Sequence, residues 1–100
     1  MDPLTFGFEQ AFYEANRAER LDPGAAARLA AALEVVIGAS PHRVRRLVSV
    51  AVIDGAHIEL RRGAEVRHLV RVRERWQWEA SGDPSWSGVL AAALTDWLVS

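Results

Sequence analysis

The spacing of the apolar positions changes twice along these 100 residues. Leu4, Phe8, Ala11, Phe12 and Ala15 fall on one side of a helix, and Ala26, Leu29, Ala30, Leu33, Val36 and Ile37 repeat the pattern up to a stop at Gly38. Between Val44 and Trp78 the period drops to two, the period of a strand. From about Trp86 to Val99 the helical period returns, with Val89, Leu90, Ala93, Leu94, Trp97 and Leu98 as its stripe.

Asp2-Pro3, Asp22-Pro23 and Asp83-Pro84 each precede one of the helical patterns. Asp accepts the free amides of a first turn, and Pro fits the first helical position because its missing donor would find no partner there. The first helix is expected from Pro3 to Arg20 or Leu21, although Gly7 weakens its opening turn and makes Thr5 an alternative cap. A break over residues 21–24 makes the first two helices a hairpin or a sharp kink.

The strand region divides into three. Residues 44–53 are rich in β-branched side chains and end at Asp54-Gly55, a hairpin pair; His57–Arg62 forms a short second strand; Gly63 marks another turn; and Glu65–Trp78 reads as one long third strand. On that third strand Val66, His68, Val70, Val72, Glu74, Trp76 and Trp78 alternate with Arg67, Leu69, Arg71, Arg73, Arg75 and Gln77, giving an apolar face and a basic one. A three-residue loop with Gly55 left-handed keeps the faces sorted by pairing Val50 with Ile58 and Val48 with Leu60. Glu74, in phase with the apolar face, requires the strand to leave the core there or a bulge to reset its phase.

The expected fold is a single α+β domain over residues 1–100, in the order α-α-β-β-β-α. An N-terminal helical hairpin and a C-terminal helix cover one face of a three-stranded antiparallel meander. Length and an apolar content of 50% suffice for one modest core. The absence of cysteine excludes disulfides and thiolate metal sites and fits a reducing compartment. No basic leader opens the chain and no apolar run is long enough to span a bilayer, so the expectation is a soluble cytoplasmic protein away from membranes.

All twelve basic residues are arginine, and their distribution is uneven. Residues 1–40 carry −3, residues 41–79 carry +4 and residues 80–100 carry −2, so the sheet region is basic and the helices acidic. Arg45, Arg61, Arg67, Arg71, Arg73 and Arg75 could meet phosphates or an acidic protein surface; the plainer reading is a solvated sheet face that guards an edge strand. Trp76 and Trp78 project together, either as rings that clamp the last helix to the sheet or as an exposed platform for bases or a partner. His42, His57 and His68 lack metal-ligand spacing, and His68 falls on the expected core face. No nucleotide-binding loop, nucleophile elbow or zinc-protease helix is present, so no catalytic residue, metal or cofactor is assigned.

The order helix, three antiparallel strands, helix looks like that of double-stranded RNA-binding domains over about residues 24–99, with Ser85 to Leu98 in the place of their second helix. That family contacts phosphate through a basic cluster at the start of this helix, whereas Trp86-Ser87-Gly88-Val89-Leu90 carries no positive charge. The resemblance therefore implies a member that serves dimerisation.

The functional expectation is a small non-enzymatic protein–protein interaction or adaptor module. It would form a homodimer by pairing the end of the long third strand, residues 73–78, which outruns the second strand. The alternative is a nucleic-acid binder using the Arg face with Trp76 and Trp78, and a third class is a small enzyme or ligand-binding domain.

Overall fold

The structure is a computed structural model that describes residues 2–17, 24–40, 44, 48–72, 75–78 and 87–100. Helices α1 (Pro3–Arg17) and α2 (Ala25–Gly38) are followed by strands β1 (Val48–Asp54), β2 (His57–Arg62), β3 (Glu65–Val72) and β4 (Arg75–Trp78), and then by helix α3 (Ser87–Val99). The strands form one antiparallel sheet in sequence order. The class is α+β with the described helices on one face, as expected, and the sheet has four strands rather than three.

Each helix buries the stripe its sequence repeats. Asp2 Oδ1 accepts the Leu4 amide at 3.1 Å and so caps α1 where the Asp-Pro pair places the start, in preference to Thr5. Leu4, Phe8 and Phe12 are buried on α1, and Ala26, Leu29, Ala30, Leu33 and Ile37 on α2. The two helices approach closely at Gly7, since a Cβ there would lie 2.9 Å from Val36 Cγ1. On α3, Leu90, Ala91, Leu94, Thr95, Trp97 and Leu98 are buried while Val89 is exposed, so the stripe is rotated slightly from the expected one. The Asp22-Pro23 and Asp83-Pro84 starts, and the helical hairpin's connection, lie outside the described residues.

The first hairpin differs from the expected one in register and carries a bulge at Ile53. Val50 pairs with Leu60 and Val52 with Ile58, two residues from the anticipated register, and Ile53 is skipped before Asp54 meets His57. The faces stay sorted because the shift is even. Asp54 Oδ1 accepts the Ala56 amide at 2.8 Å and closes the turn, while the left-handed glycine among the described residues is Gly63 (φ 60) rather than Gly55. Val44, expected to open the first strand, is helical and buried in the core.

The anticipated long third strand is two strands. Val72 pairs with Arg75, Arg71 with Trp76 and Leu69 with Trp78, so the chain folds back on itself after Val72. The β3–β4 pairing resets the phase that Glu74 had placed in question; Glu74 and Arg73 themselves lie outside the described residues.

The phase of β3 is the main correction. Arg62 and Glu65 are paired across Gly63-Ala64, and this two-residue loop sets even positions of β2 opposite odd positions of β3. Ile58 and Leu60 face the helices, so Arg67, Leu69 and Arg71 must face them too. Val66, His68 and Val70 are half-buried on the opposite face, and Val72 there is 41% exposed. The expected division into an apolar inner face and a guanidinium-lined outer face is therefore inverted on this strand.

Candidate interaction face

Ladder pairing fixes which side chains share the face turned away from the helices. Ser49, Arg61 and Val66 form one row across β1, β2 and β3; Ala51, Glu59 and His68 form the next; His57, Val70 and Gln77 form a third across β2, β3 and β4; and Val72 with Arg75 closes the end. None of these residues is buried, and Ser49, Ala51, Val72 and Arg75 are exposed. Among the described residues no helix lies over them, because the core cluster joins all three helices to the other face through Ile58, Leu60, Leu69, Trp76 and Trp78.

Two polar contacts order the centre of this face. Arg61 Nη2 meets Glu59 Oε1 at 3.0 Å, as residues two apart on one strand face allow. His57 Nε2 lies 2.6 Å from His68 Nδ1, with the rings 4.7 Å apart and inclined by 53°. Their shared contact holds one proton, donated by one neutral imidazole to the bare nitrogen of the other or held by a single imidazolium. The two histidines are diagonal neighbours, since His57 pairs with Val70 and His68 with Glu59. Sequence spacing could not reveal them as partners; the two-residue loop at Gly63-Ala64, read for its register, could have done so.

The anticipated site residues separate into three groups. Arg61 and Arg75 are exposed on the uncovered face, and Arg75 also borders an open groove with Tyr13, Asn16 and Arg17 of α1. Arg67 and Arg71 point to the helix side: the Arg67 guanidinium carbon sits 5.5 Å above the Trp97 ring, and Arg71 is 6% exposed and engaged in a contact of its own. Arg45 and Arg73 lie outside the described residues.

Trp76 and Trp78 take the core role that was weighed against exposure. Trp76 is fully buried and Trp78 is 8% exposed. Trp78 meets Trp97 edge to face at 5.9 Å, and Trp97 Nε1 donates to Glu65 Oε2 at 2.8 Å, so the rings tie α3 to the sheet. No indole of the pair is left as a stacking platform.

The expected strand overhang is also gone. β4 pairs with β3, and on its outer edge the Trp76 amide donates to Asn16 Oδ1 of α1 at 2.9 Å. Helix cover at this point takes the place of a second chain.

Among the described residues no group of three or more His, Asp or Glu side chains is arranged to hold a metal ion, and no helix is long and apolar enough to cross a membrane. The chain matches no protein-family model, no curated protein and no solved structure. The likeness in element order to double-stranded RNA-binding domains stops at the fourth strand.

Proposed function

We propose that this chain is a self-associating interaction module whose contact surface is the sheet face that no described helix covers. The observation that carries the reading is the inverted phase of β3, which turns Val66, Val70 and Val72 away from the helices beside Ala51. Apolar side chains gathered on an uncovered sheet face mark a contact surface.

Charge and size point to a second copy as the occupant. The described face carries Arg61 and Arg75 against Glu59, with Glu59 and Arg61 already paired, so one copy presents little net charge to another. Twisted antiparallel sheets stack face to face about 10 Å apart with their strands nearly aligned. Strands of up to 8 residues in a four-stranded sheet give a plan area of about 400 Å², roughly half the surface each partner buries in a standard interface. The complex is therefore reversible and weak rather than permanent. Burial of Trp76 and Trp78 removes the aromatic half of the nucleic-acid alternative.

Sedimentation velocity over a wide concentration series tests this. The wild type is expected to pass reversibly from monomer to dimer. Val66→Glu with Val72→Glu, which places each new carboxylate opposite Arg61 or Arg75 within the same sheet, is expected to stay monomeric while keeping its fold. A wild type that is monomeric throughout, or a folded double variant that dimerises equally well, contradicts the proposal.

A further inference from the structure

We infer that His57 and His68 form a binding site for a divalent late transition-metal ion of the kind imidazole favours, such as Zn²⁺ or Cu²⁺. The site lies on the proposed contact face but takes its ligands from one chain, so it does not depend on self-association.

The geometry supplies two converging donors. His57 Nε2 and His68 Nδ1 already point at one another across 2.6 Å, with one proton between them. A metal ion replaces that proton, which passes to the other nitrogen of the ring that held it or, from an imidazolium, to water. At metal–nitrogen distances of about 2.0–2.1 Å, two cis imidazole nitrogens stand about 3.0–3.4 Å apart. The pair needs to open by less than about 1 Å, and each ring must also turn about its two χ angles so that its lone pair leaves the N···N line and points to the ion. The strands that carry the rings are the two central ones of the sheet, so the backbone beneath the site is fixed on both sides.

Glu59 is placed to be the third ligand. It shares a strand face with His57 two residues away and pairs directly with His68, so the three side chains are nearest neighbours on one surface. At present its carboxylate is turned to Arg61 at 3.0 Å, and among the described residues no three donors converge. A metal ion at the two imidazoles competes for that carboxylate, and Arg61, 59% exposed at its side chain, can move into solvent. Two imidazoles and one carboxylate leave further coordination positions to water on a face that no described helix covers.

Spacing along the chain does not bring the two histidines together, and alternation alone puts His68 in the core. Both readings change once β3 is set in its observed phase.

The test uses the untagged chain, freed of metal by chelator, in competition with a chromophoric zinc indicator at low-micromolar protein and neutral pH. One Zn²⁺ per chain is expected. His57→Ala and His68→Ala are each expected to weaken binding by at least about tenfold, the loss that even a supporting residue's removal brings, and Glu59→Gln to weaken it less. Addition of Cu²⁺ should broaden the amide resonances of residues 57–59 and 68–70 before others. No saturable Zn²⁺ binding by the wild type overturns the inference. So does an affinity unchanged in the folded His57→Ala, His68→Ala double variant, which would place the ion elsewhere. Retained binding by the monomeric Val66→Glu, Val72→Glu variant supports a single-chain site, whereas its loss there alongside wild-type binding only at dimer-forming concentration contradicts one. Failure of self-association with intact Zn²⁺ binding would reject the proposed function and leave this site standing.

Discussion

Arg62 reaches from the end of β2 to the last turn of α3, where its Nη1 donates to the main-chain oxygen of Trp97 at 2.6 Å. Its Nη2 donates to that of Ser100, also at 2.6 Å. The last carbonyls of a helix lack partners within it and carry partial negative charge, so a guanidinium here both satisfies and neutralises them. Arg62→Ala should lower unfolding stability by about 1–2 kcal/mol, the lower range for charge-assisted bonds because the site is partly exposed. For a domain of this size that is a fall in Tm of roughly 5–10 °C. Arg62→Lys should recover only part, since an ammonium cannot fork to two oxygens in the same way. An unchanged denaturation midpoint for Arg62→Ala would show that the clamp carries no stability.

Asn16 satisfies an edge strand from a helix. Its Oδ1 accepts the Trp76 amide at 2.9 Å and its Nδ2 reaches Ser87 Oγ at 3.4 Å. Asn16→Ala should cost about 1 kcal/mol, the usual net value of one such bond. Hydrogen exchange gives the sharper readout: the Trp76 amide should lose protection in the variant, while amides in the β2–β3 ladder keep theirs.

Gly7 trades helix propensity for proximity. Gly7→Ala gains about 1 kcal/mol in an isolated helix, but overpacking a close contact costs about 1–3 kcal/mol. The atom in the way belongs to Val36, a β-branched side chain with little rotamer freedom in a helix, so the clash should win and the variant should be less stable. In a Val36→Ala background the same substitution should become stabilising. A denaturant double-mutant cycle measures the coupling, and additivity of the two changes would remove the packing explanation.

The helices were legible because each carries its own period and the Asp2 cap its own chemistry. The core role of Trp76 and Trp78 was also open to reading, since two rings two apart on a strand beside an apolar helix need somewhere to be buried. The sheet was misread for a definite reason: β3 is apolar on both faces, with Leu69 on one and Val66, Val70 and Val72 on the other, so alternation alone cannot choose between them. Four arginines on the Leu69 side, Arg67, Arg71, Arg73 and Arg75, argued for solvent, yet Arg67 is held by Trp97 and Arg71 lies buried opposite Trp76. Long guanidinium side chains can pack their stems on apolar surface, which a charge count ignores. The deciding signal was the two-residue loop at Gly63-Ala64, whose parity fixes the phase once Ile58 and Leu60 are placed inside. The paired histidines were missed for the same reason, because their contact follows from register rather than from spacing.

The chain has no cysteine, so single introduced thiols report the phase of β3 without interference. The most direct measurement compares native-state labelling of Val72→Cys and Leu69→Cys by a thiol reagent at protein concentrations low enough to keep the chain monomeric. Val72→Cys should react at nearly the rate of an unfolded thiol, and Leu69→Cys, fully buried in the wild type, only as fast as the domain opens. Rapid labelling at 69 with protection at 72 would put the apolar valines back under the helices and contradict the uncovered face on which the account rests.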